Sequence, residues 1–504
     1  MPRPAVPSPL RLARRSALVS ARRPLLGVVL GCLLVVAGAA PARAGLPPEG
    51  SCPTVAGTMP ERGGEDVQPV VIREGLAITA EQLTALRTLV PPEVWDMRGA
   101  FFHEGMRMEI GPCHRRYPVD AAYDAATQAH AAKVKVDEKG NLEGYVAGLP
   151  FPPDSIDAAA PDAGVRWAWN LALRYRGVGP HGKFRLTDFP SRIGAPETYI
   201  GSFFLLQLAA RADLADNGYR EKDAPKDFFA AGGRFDEPFN ARHLAWRQLR
   251  PLDSFDDYRE IDDIFVYVPT MRKARRAASG WIDGLYFPRY TAGGDSGGSP
   301  VPFGSNGYGP TSSISPNSGL SIAQTENMRR GLTGLILRPN AFAWTYGGER
   351  DVLAPLNGAR GGWPETADRN FGESGLSVAS DRWDLRHAVV IDGVARESTE
   401  LVRRLRIYVD WQTQQPLYWI GRRSNGLVDS VGILVHRFSG DVSGYPAWPD
   451  GHAALVFDPV AAAFVETEEG GTGWRRESYG ILSVPTSDMD VRTMSSTDAL
   501  QRGR

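Results

Sequence analysis

Ser296 lies in Gly294-Asp295-Ser296-Gly297-Gly298-Ser299-Pro300, an aspartate before it and glycines after it, the surroundings of a nucleophilic serine in peptide hydrolysis. That chemistry needs a histidine base held by an aspartate. None of His103, His114, His130, His181 or His243 sits at the small-apolar strand end that carries such a base, and the residues after Ser299 read as loop where a strand is required. The segment also lies inside Tyr290–Ser321, built mostly of Gly, Ser, Pro and Asn, where such a match arises from composition. A motif without its structural context is weak. Long loops of this kind are functional lids or inserts. The serine is read as noncatalytic and the chain as no enzyme.

Metal and cofactor chemistry finds no better footing. The eight histidines are scattered, with no pair at the i, i+4 spacing of a zinc helix. Asp253, Asp256, Asp257, Glu260, Asp262 and Asp263 cluster, but not at the spacing of a calcium loop. Arg272, Lys273, Arg275 and Arg276 follow, and charge compensation across a turn explains the acids without a metal. No Gly-rich phosphate loop opens a helix, so no cofactor is expected.

What remains is aromatic. Trp167, Trp169, Trp246, Phe342, Trp344, Tyr346, Tyr418 and Trp419 fall in segments that read as strands, most of them alternating with small or charged residues. For any one of them, packing of a sheet on its own helices is the simpler reading. Together, wide rings on several strands suit a concave apolar cavity, the usual form of a lipid or small-molecule site. These eight are the candidate ligand-binding residues.

The elements that must position them read as follows. Thr79-Ala80-Glu81-Gln82 is a capping-box signature opening a helix toward Pro91. A second helix is expected from Val119 to Lys133, and Gly148 to Pro161 is proline-rich. From Val165 to Arg176 the period becomes two, the pattern of a half-buried strand, although a helix also fits. Further strands are expected at Tyr199–Leu208, Leu244–Leu249, Ile264–Val268, Phe342–Tyr346, Leu385–Ile391, Arg404–Val409, Leu417–Ile420 and Val431–His436. Many strands with short turns and no alternating helices mean an antiparallel sheet or barrel.

The chain begins with a processing signal. Met1–Pro24 holds six arginines and no acid, Leu25–Ala40 is an apolar run of 16 residues, and Ala42-Arg43-Ala44 is a small-x-small site. That is the plan of a cleaved secretory signal peptide, and the run is short for a membrane span. Cys32 as a lipoprotein acceptor and the Arg14-Arg15 and Arg22-Arg23 pairs as twin-arginine signals fit less well. Removing Met1–Ala44 leaves 50 basic against 58 acidic residues, a formal net charge of −8, which argues against a nucleic-acid partner. Cys52 and Cys113 survive, and export predicts that they pair.

Six segments then form an ordered set. They are Gly148-Leu-Pro-Phe-Pro152; Trp169-Asn170 leading to Arg174-Tyr175-Arg176-Gly177; Val266-Tyr-Val-Pro269 with Arg272 to Arg276; Trp344 to Arg350 with Pro355-Leu-Asn357; Trp383 to His387 with Ala395-Arg396; and Arg406 to Asp410. In this order they resemble an outer-membrane lipoprotein-sorting-like family of unknown function, domain-of-unknown-function family 1329, from about Gly144 to Trp419 with an extension to Glu466. The resemblance implies a mainly β fold with some α: an incomplete antiparallel β-barrel like the LolA and LolB lipoprotein carriers, its concave apolar face covered by helices. It also implies a link to RND-type exporters of hydrophobic compounds and supplies no catalytic residues. The Tyr290–Ser321 loop and the cysteine pair are departures from the family pattern.

The expected organisation is a signal peptide to Ala44, an N-terminal arm with helices at 45–160, the β domain at 161–466 with its insert at 290–321, and a tail at 467–504. The expected function is a periplasmic carrier of a lipid, a lipoprotein acyl chain or another hydrophobic molecule, associated with the outer membrane or an RND-type transporter. The alternative is a structural adaptor of an envelope complex with no ligand of its own. A closed, dry interior favours the adaptor and an open cavity the carrier.

Overall fold

The computed structural model describes residues 46–55, 70–189, 195–214, 227–239, 241–260, 262–269, 272–277, 337–367, 369–397, 402–468, 471–487 and 489–501. The expected signal peptide and the Tyr290–Ser321 loop with Ser296 lie outside the described residues.

The arm contributes β1 (Thr54–Val55) and β2 (Val70–Val71), which pair with each other, then β3 (Ala77–Ile78), α1 (Pro92–Asp96), α2 (Arg98–Phe101) and β4 (Met108–Cys113). The expected first helix is a 3-10 helix over Ala80–Leu86, its start marked by the Thr79 N–H donating to Gln82 Oε1 at 3.3 Å. The second is α3 (Ala121–His130), capped by Asp120, whose Oδ1 accepts from the Ala122 N–H at 3.0 Å. The small pair β5 (Lys135–Val136) and β6 (Leu142–Glu143) precedes α4 (Ala163–Ala172).

Strands follow in a long series: β7 (His181–Phe189), β8 (Glu197–Gln207), β9 (Asp227–Glu237), β10 (Ala245–Pro251), β11 (Asp263–Val268), β12 (Lys273–Ala277), β13 (Phe342–Ala354), β14 (Arg382–Ala395), β15 (Arg404–Asp410), β16 (Pro416–Arg422), β17 (Val428–Phe438), β18 (Phe457–Glu468) and β19 (Gly471–Leu482). They form one 15-stranded sheet together with β3 and β4. Its order runs β12-β11-β10-β9-β8-β7-β19-β18-β17-β16-β15-β14, with β13 on one side of β14 and β15 and β4 on the other. Only the β14–β4 pair is parallel among the described pairs. Among the described residues β12 and β13 do not pair, so the barrel stays open between them.

Two apolar cores lie on opposite faces. The first gathers inward residues from β7–β11 and β13–β19 around α4, which requires the sheet to curl into a concave half-barrel. The second lies on the convex face, where the arm packs Leu86, Val94, Phe101 and Met108 against Trp383, Leu385, Ile420 and Ile433. Alternation along β15 divides the two: Leu405, Ile407 and Val409 face inward and Tyr408 outward. After β19, α5 (Val491–Ser495) and α6 (Thr497–Gln501) finish the chain, with Met494 against Phe204, Leu206 and Ala230.

Three expectations are corrected. Trp167 and Trp169 stand on a helix: the residues between them in the alternation, Ala168, Asn170 and Ala172, are as buried as the large ones, so the pattern was large and small rather than in and out. The expected tail supplies β19, which sits between β18 and β7 in the interior of the sheet. The arm is continuous with the sheet through β3 and β4. Cys52 and Cys113 form a disulfide, joining the first described segment to the end of β4.

Candidate ligand-binding interior

The inner wall is built from rings lying over glycines. On β13, Trp344 is paired across the ladder with Gly393, and a Cβ there would meet the indole at 2.7 Å. Trp246 lies likewise over Gly233, where an added Cβ would come within 2.3 Å of it. Without side chains at those sites the rings can fold down along the sheet and lie close against its backbone.

Helix α4 occupies the space above it. Gly164 makes the crossing possible: a Cβ would stand 2.7 Å from the Thr345 carbonyl carbon and 2.9 Å from the Tyr346 amide nitrogen. The helix is buried on nearly every side, with Arg166 alone partly exposed and paired to Asp162 at 2.7 Å. Its buried polar group is satisfied, since Asn170 Nδ2 donates to the Phe151 carbonyl at 2.5 Å and Oδ1 accepts the Phe151 N–H at 3.1 Å. Trp169 Nε1 donates to the Gly140 carbonyl at 3.0 Å. Trp167 approaches Trp411 at 6.3 Å, and Trp169 meets Phe255 edge-on at 5.5 Å.

The eight candidate residues therefore do not share one surface. Trp167, Trp169, Trp246, Phe342, Trp344 and Trp419 join the concave core, and Tyr346 packs against its margin. Tyr418 belongs to the convex core and donates to the Leu353 carbonyl, because adjacent strand residues point to opposite faces. Trp167 and Trp169 come from the helix that fills the concavity rather than from its wall.

Polar groups cluster at three places, two of them made wholly of residues outside the candidate set. Where the barrel stays open, Asp262 accepts from Arg250 Nε at 3.1 Å, Arg250 Nη2 at 3.0 Å and Gln248 Nε2 at 2.5 Å, and also pairs with Arg338. Burial alone would raise the Asp262 carboxyl, but the two guanidiniums outweigh it and hold it below its usual range. Arg338 also donates to the Tyr258 carbonyl at 2.9 Å, so this ion knot ties β10 and the turn before β11 to the segment entering β13. Of the acids expected to pair with Arg272–Arg276, Asp263 does so, with Arg276, while Asp262 takes these other partners.

At the far end, inside the concave face, Arg475 donates to Glu477 at 2.6 Å and Glu466 at 2.5 Å and lies 4.4 Å from the centre of the Phe464 ring. Tyr479 donates to the other Glu477 oxygen, and burial raises the Glu477 carboxyl. These residues lie on the strand taken for a tail; the inward series Arg475, Glu477, Tyr479 and Ile481 was legible as an alternation. Among the described residues no group of three or more His, Cys, Asp and Glu is placed to hold a metal ion.

The third cluster lies below Tyr346. Tyr346 donates to Glu349 at 2.8 Å, and His387 contacts Glu349 at 2.9 Å through Nε2 and Asp351 at 2.8 Å through Nδ1. Burial disfavours the imidazolium, yet the hydrogen bonds to Asp351 and Glu349 prevail and raise His387 to about 9. A folded pKa above the unfolded value gives stability that is full below about pH 6.5 and is lost as pH rises through 9. Urea unfolding at acidic and alkaline pH should show a loss on the order of 2 kcal/mol that His387→Gln flattens. An unchanged pH profile in the variant refutes the assignment.

Residues 77–290 match the family described as protein of unknown function (DUF1329). The match takes in the first three of the six ordered segments, starts within the arm and ends before β13. It takes in α4, β7–β12 and Cys113. No curated protein matches the chain. Among solved structures, a DUF1329 family protein from Desulfovibrio piger is similar at 12% identity and a TM-score of 0.35, over 68% of this chain and 98% of that one. A LolA superfamily protein from Nitrosomonas europaea is similar at 11% identity and a TM-score of 0.30, over 65% and 94%. Among the described residues no helix is long and apolar enough to cross a membrane.

Proposed function

We propose that the protein is an exported, periplasmic binding protein that holds a hydrophobic molecule, such as an acyl chain, against the concave face of its half-barrel, with no catalytic role. The observation that carries this reading is the single apolar cluster that spans the inward face of nearly every strand and is covered by one helix. Rings and aliphatic groups line it, and its ions are paired at the ends, an arrangement suited to an apolar ligand with a polar end. Ligand entry requires α4 to give way. A handover partner in the envelope, of the RND-transporter type or at the outer membrane, belongs to the same proposal.

Trp344→Ala tests the reading. Trp344 is 7% exposed, packs on Phe342 at 5.4 Å and donates to the Pro339 carbonyl at 2.8 Å. Uptake of a fluorescent fatty acid should fall about ten-fold in this variant. Tyr418→Phe, on the other face, should lower the melting temperature slightly and leave uptake intact. Equal uptake by wild type and Trp344→Ala, with stability lost, makes Trp344 plain core and removes the support.

One observation favours the second reading, an adaptor with no ligand. In this structure the concavity is filled by α4 and its tryptophans, as a dry interior would be. Native mass spectrometry of the protein from its own envelope separates the two: a co-purifying lipid supports the carrier, and a ligand-free protein bound to a partner chain supports the adaptor.

A further inference from the structure

A cleft of about 480 Å³ opens on the convex side of the sheet, away from the concave interior. Its floor follows from strand register. Val465 of β18 is paired with Trp474 of β19, and Trp474 with Phe189 of β7. Pro196, just before β8, continues the row. Cross-strand neighbours on one face are about 4.8 Å apart, so Val465, Trp474 and Phe189 form a level apolar strip roughly 10 Å long. Ala100 of α2 stands on one side, and Glu373 and Ser374, from the connection between β13 and β14, on another.

The rings of this floor are held in place. Trp474 and Phe189 stack with centroids 5.5 Å apart and planes 18° from parallel. The far edge of the indole abuts Gly375, where a Cβ would come within 2.7 Å. Both aromatic side chains remain partly exposed, so their faces are open to solvent.

Charge then decides what it can hold. Among the described residues Glu373 is the one charged side chain lining the cleft, and it is exposed. Arg476, two residues beyond Trp474, is turned to the loop: it donates to the Gly375 carbonyl at 2.8 Å and lies 3.5 Å from the centre of the Phe371 ring. Aromatic faces attract cations and the Glu373 carboxylate completes the pairing, whereas an anionic head group would face that carboxylate.

We propose that this cleft is a second binding site, selective for a flat organic cation that stacks on Trp474 and Phe189 and pairs with Glu373. Its size lies within the range of small-molecule sites. It is independent of the concave interior and would stand if that interior held nothing.

The test is a fluorescence titration of the whole protein with proflavine, a planar cation, beside the planar anion anthracenecarboxylate and the neutral dye Nile red. Saturable proflavine binding is expected, with the anion bound at least about ten-fold more weakly. Trp474→Ala should weaken proflavine about ten-fold. Because that variant removes packing, Glu373→Lys serves as the second: it is at an exposed position, should leave the melting curve unchanged, and should weaken proflavine by a similar factor. Absence of saturable proflavine binding overturns the proposal. So does equal binding of the anion, or proflavine affinity indifferent to Glu373→Lys, either of which makes the cleft an ordinary apolar groove. A dimer in sedimentation that Trp474→Ala or Glu373→Lys breaks also overturns it, by giving the surface to a second copy of the chain.

Discussion

Asp262→Ala should lower the free energy of unfolding by about 3–5 kcal/mol, the usual cost of leaving buried charges without their counterion. Asp262 and Arg338 are essentially inaccessible to water, and Arg250 nearly so. The carboxylate receives Gln248, Arg250 and Arg338 at once, so its removal strands two guanidiniums together in a low-dielectric place. Repulsion between them adds to the desolvation each has already undergone. The variant should therefore unfold at clearly lower urea concentration, and its open end near Trp246 and Phe342 should loosen first under hydrogen exchange. Replacing all three ions, Asp262→Leu with Arg250→Met and Arg338→Met, should recover much of the loss, because apolar groups of similar volume need no counterion. If Asp262→Ala alone unfolds within about 1 kcal/mol of wild type, the knot does not hold the barrel's open side together.

Loss of the Cys52–Cys113 disulfide should cost a similar amount. The bond spans a sequence separation of 61 residues. Chain entropy for a loop of that length gives roughly 4 kcal/mol in the unfolded state. Cys52→Ser with Cys113→Ser should shift the urea midpoint accordingly, and reduction of wild type should reproduce the shift. The effect should be local in the native state. Cys113 ends β4, which runs parallel to the start of β14, and the Gly50 N–H donates to the Cys113 carbonyl at 2.9 Å. Protection should fall in residues 46–55 and β4 while β15–β18 keep theirs. Two freely labelled thiols in the folded, unreduced protein would show the bond absent.

The β segments easiest to read were those whose inward residues are large and whose outward ones are polar. Leu405, Ile407 and Val409 against Arg404 and Arg406 is such a case, and β15 lies where that alternation puts it. β9 was illegible for a physical reason. Its centre is Ala230, Ala231, Gly232 and Gly233, small because Trp246 and Phe204 lean over it from the neighbouring strands. β18 likewise has a run of small residues, Ala461, Ala462 and Ala463, at its centre. In such strands the hydrophobic signal sits on the partner, and a single segment cannot display it. α4 misled differently: Asp162, Arg166 and Asn170 recur at the helical spacing, but the large residues Trp167, Trp169 and Leu171 alternate with small or polar ones and imitate a strand. The candidate site suffered from both effects. Six of the eight rings reach one core, but Tyr418 needed the register of β16 to be placed, and Asp262 needed Arg338, 76 residues away in sequence.

The position of α4 has a consequence for how any ligand of the interior would be measured. A helix that already covers the apolar face is a competitor tethered at very high local concentration. The affinity observed is the intrinsic affinity multiplied by the fraction of molecules in which the helix has withdrawn. If docking of α4 were worth about 4 kcal/mol, roughly one molecule in a thousand would be open, and a nanomolar site would titrate as a micromolar one. Affinity and stability would then move in opposite directions whenever the contact between Gly164 and Thr345 is disturbed. A partner protein that drew α4 aside would load the interior without touching a single residue of its wall.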